Sequence, residues 1–189
     1  MSAYCRTAPG HPWHGPYHDT EYGFPLRDDD ALFERLALEI NQAGLSWLTV
    51  LQKRENFRLA FCGFSLEGVA AYGETDLARL LADPGIIRNR LKVGAVIHNA
   101  GRLLEIRARE GSFAAWLDRH HPMPLDGWVR LFKRHFKFVG PEIVGEFLMS
   151  TGYLPGAHAE DCPVFGRIAA LGPPWAAMGD KSKKSEKEP

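Results

Sequence analysis

The stretch Glu39-Ile40-Asn41-Gln42-Ala43-Gly44-Leu45-Ser46-Trp47 decides how this chain is read. It sets a carboxylate, two amides, a Gly-Leu step and a Trp side by side, where an ordinary amphipathic helix would carry fewer polar groups. Upstream, Asp28-Asp29-Asp30 has the character of a helix start, and Leu32, Phe33, Leu36 and Ile40 follow at near-helical spacing. Glu39 therefore falls late in a helix whose apolar side faces a core. Gly44 predicts the end of that helix, and Ser46 predicts the cap of a second one running from Trp47-Leu48-Thr49-Val50-Leu51 onward. The result is a corner between two helices with Gly44 and Leu45 at its tip. Two readings of it stand: a carboxylate placed for chemistry, or a solvated Glu beside a glycine turn and a core Trp.

Working outward, 189 residues suffice for one good-sized core or two small lobes sharing an interface. The 23 Lys and Arg balance the 23 Asp and Glu, so any nucleic-acid binding must come from a local patch and not from a global positive field. No apolar run approaches the roughly 20 residues that span a bilayer, and no signal peptide is recognised at the start. The odd set Cys5, Cys62 and Cys162 argues against a disulfide framework and for a reducing, cytoplasmic compartment.

Residues 1–27 lack periodicity yet are crowded with aromatic and imidazole groups, which predicts a loop-like wrap stapled to the body. From Ala31 to about Ile106 the pattern is helical almost throughout, with Pro84-Gly85 closing one short helix before a longer one that carries Arg88, Arg90 and Lys92 near its start. Two short helices separated by His121-Pro122-Met123-Pro124 are expected over 113–136, followed by an apolar helix from Ile143 to Met149. No convincing alternating strand is present, so the fold class is all-α, a single domain over 1–178 with a wrap at 1–27 and a helical body at 28–178. The Lys-, Ser- and Glu-rich end, 179–189, is expected to be a disordered polar tail.

Three constellations offer chemistry. His158 and Cys162 are four apart, a spacing that aims both side chains at one point if that segment is helical, and Cys5 with His18 would complete a closed, structural Cys2His2 metal site tying the wrap to the C-terminal region. A surface His and a buried, apolar Cys are the alternative. Tyr17, Tyr22 and Trp47 are aromatics near turns, and with Glu39 they would suit a flat cationic ligand; separately, each reads as a core aromatic. Phe138-Val139-Gly140 ahead of an apolar helix can be a hairpin whose amides face a phosphate, with Lys133, Arg134 and Lys137 supplying local positive charge, or those charges are merely a solvated face.

Four motifs occur in order: Tyr17-His18-Asp19-x-Glu21-Tyr22-Gly23-x-Pro25; Gln42-Ala43-Gly44-Leu45-Ser46-Trp47-Leu48-Thr49-Val50-Leu51-x-Lys53-Arg54-Glu55-Asn56-Phe57; Gly85-Ile86-Ile87-Arg88-Asn89-Arg90; and Phe136-Lys137-Phe138-Val139-Gly140. Together they resemble the DNA-3-methyladenine glycosylase I family over roughly residues 4–165, and the long central motif is highly specific. The resemblance implies the helix-hairpin-helix glycosylase fold, two helical lobes with a structural zinc joining the chain ends, and Cys5, His18, His158 and Cys162 as its ligands. It also implies Glu39, Tyr17, Tyr22 and Trp47 around a flipped base. Gly44 and Leu45 would fill the gap in the stack, and Lys137, Phe138, Val139 and Gly140 would hold the backbone of double-stranded DNA. The expected activity is hydrolytic release of 3-methyladenine in base-excision repair by a monomer without strand-cutting activity.

The chain departs from the family pattern at several points. Thr7 stands where a Trp is usual two residues after the first zinc Cys, Tyr22 replaces the Trp of Glu-Trp-Gly, and Ile40-Asn41 precede Gln42 in place of a Gly-Gln type pair. The connection between about His120 and Lys133 is shorter than the family pattern leads one to expect. Leu154-Pro155-Gly156-Ala157 offers no carboxylate before His158, in keeping with the methyladenine branch. Two alternatives follow: the same fold with altered alkylated-base preference, or a catalytically silent, zinc-stapled DNA-binding module. A zinc hydrolase is a third idea, and it needs an open metal position that four protein ligands would deny.

Overall fold

The computed structural model describes residues 3–177, and among them the regular structure is entirely helical. Eleven α-helices are present: α1 (Ala3–Thr7), α2 (His14–Thr20), α3 (Asp29–Gln42), α4 (Trp47–Ala60), α5 (Leu66–Ala70), α6 (Glu74–Ala82), α7 (Arg90–Glu110), α8 (Phe113–His120), α9 (Leu125–His135), α10 (Pro141–Ser150) and α11 (Pro163–Ala170). The all-α expectation holds for these residues. The expected tail at 179–189 lies outside them.

Helix α3 is the axis of the molecule, packed against α4, α7, α8 and α10. Every residue from Leu36 to Asn41 is buried, which is why its sequence reads as apolar with isolated polar exceptions. The Asp run at its start does three separate jobs. Asp28 caps α3 itself, accepting from the Ala31 amide at 2.9 Å. Asp29 accepts from the Phe113 amide at 2.8 Å and Asp30 from the Leu66 amide at 3.0 Å, so the same tripeptide satisfies the first orphan donors of α8 and α5 as well. Three helix starts are thereby fixed to one point.

The main core is a continuous apolar cluster reaching from Leu32 to Tyr153, with Phe33, Phe61, Phe64, Phe113, Trp128, Phe132 and Phe147 as its largest members. A smaller cluster of Cys5, Cys162, Val164 and Ile168 joins the two ends of the described chain. Gly23 sits at that join with φ +83° and its amide bonded to the Ser150 carbonyl at 2.9 Å. A Cβ there would stand 2.8 Å from that of Ala157, so the close approach requires glycine.

The wrap departs from the expected loop: it contains α1 and α2. Their five and seven residues are too few for periodicity to show, and isolated helices of that length are marginal in water. Tertiary ring contacts hold them instead, with Tyr4 edge-on to His14, His18 and Tyr22 at centroid separations of 5.5–5.6 Å. Helix α7 also starts later than the apolar pattern suggests. Asn89 caps it at Leu91 and Lys92, leaving Ile86 and Arg88 in the preceding loop.

Candidate active site

The corner between α3 and α4 forms as its sequence predicts. Gly44 adopts φ +77°, and the Ser46 hydroxyl accepts from the Thr49 amide at 3.2 Å. Leu45 is exposed at the tip. The carbonyls left over at the end of α3 are taken by Lys92, whose Nζ donates to Asn41 O at 2.8 Å and Ala43 O at 2.6 Å. A cation at the negative end of the helix is favourable, and it fixes the turn against α7. Gln42 Nε2 closes the loop on the Leu45 carbonyl at 2.9 Å.

Beside this corner lies a cavity of about 370 Å³. Tyr4, Tyr17, Tyr22 and Trp47 supply its aromatic surface, with Tyr17 5.1 Å from Trp47 and 5.7 Å from Tyr22 between ring centroids. Glu39, Glu142 and Glu146 supply carboxylates, and Gln42 an amide. The structure thus brings Glu39, Tyr17, Tyr22 and Trp47 to one cavity. Tyr4, Glu142 and Glu146 are lining residues that the sequence reading passed over, whereas Thr7 is exposed and turns its hydroxyl back to the Ala3 carbonyl at 3.1 Å. The signal for Glu146 was there to be read: a carboxylate amid the apolar residues of α10.

Glu39 is buried, and that burial, reinforced by Glu146, pushes its pKa up to about 8 even though Arg35 acts in the opposite sense. Burial and Glu146 thus favour the protonated form of Glu39, and a cation in the cavity would favour its ionised form. Arg35 stabilises Glu39 only from a distance, because its guanidinium is spent elsewhere. It donates to the Tyr17 hydroxyl at 3.1 Å, the Ser150 carbonyl at 3.2 Å and Glu21 at 3.1 Å. Arg54 in turn spans Glu21 and Glu34. This network anchors the wall that carries Tyr17.

On the other side, α9 and α10 are joined by a tight turn over Phe136–Gly140. Phe138 is exposed there at φ +57°, Val139 is buried, and Gly140 is the N-cap of α10 with Pro141 at its first position. Asn99, fully buried on α7, clamps the turn in both directions. Its Oδ1 accepts from the Lys137 amide at 2.8 Å and its Nδ2 donates to the Lys137 carbonyl at 3.1 Å. Nothing in the sequence marked Asn99, because its partner lies 38 residues away.

Cys5, His18, His158 and Cys162 converge, all four buried, with their ligand atoms within 4.8 Å of one another. Sequence spacing predicted the pairing of His158 with Cys162 through a helix; the segment is instead irregular, and Cys162 is the N-cap of α11. The set could hold a metal ion. His158 Nδ1 is 3.7 Å from Cys5 Sγ and 3.5 Å from Cys162 Sγ, and His18 Nε2 is 3.7 Å from Cys162 Sγ. A tetrahedral zinc ion with ordinary Zn–S and Zn–N bonds places such pairs about 3.6 Å apart. Each ring's other nitrogen is occupied: His18 Nδ1 pairs with Asp19 at 2.7 Å and His158 Nε2 with the Tyr22 carbonyl at 2.8 Å. That outer bonding aims the remaining lone pairs at the centre, so the residues fit the ion.

Comparison with known proteins finds relatives in sequence and in fold. The family model described as methyladenine glycosylase matches residues 8–125. DNA-3-methyladenine glycosylase 1 of Escherichia coli (strain K12) is 39% identical over 165 residues, covering 77% of this chain and 88% of that protein. The solved 3-methyladenine DNA glycosylase I from Staphylococcus aureus superposes with a TM-score of 0.77 at 36% identity, over 85% of this chain and 95% of its own. A variant of 3-methyladenine DNA glycosylase I in complex with 3-methyladenine gives a TM-score of 0.77 at 35% identity, over 86% and 97%.

Proposed function

The chain belongs to the methyladenine glycosylase family, and on that footing we propose that it is a monofunctional DNA glycosylase that releases 3-methyladenine from alkylated duplex DNA. The observation that carries the proposal is the placing of a buried carboxylate, Glu39, within a box of four aromatic rings directly beside the exposed Gly44–Leu45 tip. An adenine methylated at ring position 3 and still bonded to the sugar is a planar cation. Ring faces attract it, and burial of the charge against Glu39 strengthens the attraction.

The order of events follows from the placement. The α9–α10 turn and the N-terminus of α10, a helix-hairpin-helix element, hold the phosphate backbone through amides, with Lys137 adding charge. Leu45 enters the stack as the base leaves it. Unstacking costs a few kcal/mol, and stacking on the pocket rings returns roughly 1–3 kcal/mol per base. The alkylated base is already a good leaving group, so the site needs to bind and orient it more than to protonate it, and water takes the sugar carbon as the bond breaks.

Monofunctional chemistry is supported by the amines. The described residues lining the cavity include no lysine, and the buried Lys92 spends its Nζ on two carbonyls at the end of α3. A Schiff-base route through this site thus lacks its nucleophile. Cys5, His18, His158 and Cys162 would hold a structural zinc with no open position, fastening the wrap that carries Tyr4 and Tyr17 to the C-terminal segment. A silent DNA-binding module has no use for Glu39 inside an aromatic box. The test is chromatographic identification of the bases freed from methylated duplex DNA: 3-methyladenine is expected, and a folded protein that frees nothing would return the reading to the silent module.

A further inference from the structure

The cavity is more acidic than one recognition carboxylate requires. Glu146 stands on α10, one helical turn beyond Glu142, and both face the cavity that Glu39 enters from α3. Glu146 is half-buried, and its Oε2 accepts from the Tyr22 hydroxyl at 3.1 Å. That bond fixes one carboxylate oxygen and the edge of the Tyr22 ring together. No arginine or lysine is among the residues lining the cavity. A half-buried carboxylate held this way, without a cation, is costly unless a ligand supplies the charge.

We propose that Glu146, held by Tyr22, is a second base-recognition carboxylate, one that with Glu39 selects a cationic purine over a neutral one. The inference rests on the reading of this cavity as the base pocket and adds to it a residue outside every motif that identified the family. Glu39 and Glu146 approach from different helices, so a planar base lying among the rings meets a carboxylate from each. A positively charged ring gains a charge interaction from both carboxylates, whereas a neutral purine gains only hydrogen bonds. The pK of Glu146 is itself raised by burial, and Glu146 raises that of Glu39, which is the repulsion a cation would relieve.

The test uses two N9-methylated probes that differ in charge, 3,9-dimethyladeninium and 9-methyladenine, titrated into the full chain. Base release from methylated DNA is measured on the same preparations. Wild type is expected to prefer the cation, and Glu146→Gln to reduce the preference by roughly tenfold, the worth of one charge interaction at this depth. Affinity for the neutral probe should change much less. Tyr22→Phe should show a smaller loss in the same direction, since Glu146 then loses the bond that orients it. If Glu146→Gln keeps the wild-type preference, or weakens both probes in parallel, the residue is structural and the proposal is overturned. A wild type that shows no preference also overturns it. A wild type that prefers the cation in a Glu146-dependent way but frees no base would support the second carboxylate while refuting the glycosylase reading.

Discussion

The Arg35 guanidinium, buried within α3, donates to the Tyr17 hydroxyl at 3.1 Å and lies 4.9 Å from the centre of the same ring. One side chain therefore fixes both the position and the hydrogen-bond polarity of a pocket aromatic. With its oxygen already accepting from Arg35, the Tyr17 hydroxyl keeps its own hydrogen for another partner. Burial holds its pKa far above the usual phenol range, so it stays a donor at any working pH.

Arg35→Met should lower both stability and base release. Removing one member of a buried ionic network costs about 3–5 kcal/mol, and each kcal/mol shifts melting by about 2–4 °C in a domain of this size. Tyr17→Phe should cost less, about 1–3 kcal/mol, for the acceptor it removes. Thermal melts of the two single variants and the double should show a loss smaller than the sum of the parts. Strict additivity would mean that the two groups do not act together.

Glu39 sets a pH dependence of known sign. Its folded-state pKa, pushed up to about 8, exceeds the ordinary value of 4.5. Between those pH values the folded chain keeps a proton that the unfolded chain has released, so this residue's contribution is full below the lower value and is lost as pH rises through the upper one. Glu39→Gln should thus melt higher than wild type at pH 8–9, and the difference should shrink towards pH 4.5. A fixed cationic ligand should bind wild type more tightly as pH rises towards 8 and bind Glu39→Gln without that slope. Melting curves that stay parallel across the range would contradict the burial argument. Glu146 raises the Glu39 pKa and Arg35 lowers it, so Glu146→Gln should move the inflection down in pH and Arg35→Met should move it up.

The zinc assignment predicts one metal per chain, lost in Cys162→Ser. Structural zinc contributes on the order of 10 kcal/mol of apparent binding energy in small peptides, but here the main core from Leu32 to Tyr153 does not include the ligands. The expected outcome is loosening of the wrap and of the segment around α11 ahead of the body, seen as early amide exchange at both ends of the described chain. Unchanged metal content and exchange would reject the site.

The α9–α10 turn can be separated from the pocket. Asn99→Ala removes the clamp on Lys137 and should weaken duplex DNA binding while leaving the affinity for free cationic base unchanged. Lys137→Ala should flatten the salt dependence of DNA binding by about one phosphate contact. Equal losses for DNA and free base would place the turn's role in folding.

What was legible in the sequence was what local chemistry dictates. Asp28, Gly44 and Ser46 announce their turns because each satisfies backbone needs within three residues, and the corner formed as read. Glu39, Tyr17, Tyr22 and Trp47 could be read from the residues as a box for a flat cation, but each also read as a core aromatic or a solvated Glu until the family's motifs joined them, since their meeting depends on tertiary packing. The short helices of the wrap escaped notice because side chains from elsewhere stabilise them. Asn99 was missed for a related reason, its partner lying 38 positions away; Glu146 stood out locally as a carboxylate amid the apolar residues of α10, but its bond to Tyr22 across 124 positions did not. For His158 and Cys162 the partners were right and the helical reason was not.

The most direct measurement of the central claim is chromatography of bases released from methylated duplex DNA by the wild type beside Glu39→Gln. The account predicts 3-methyladenine as the product, at a rate about tenfold or more lower in the variant, as expected when a buried charge interaction with a cationic base is removed. Equal release by the two proteins, or none from a folded wild type, would contradict it.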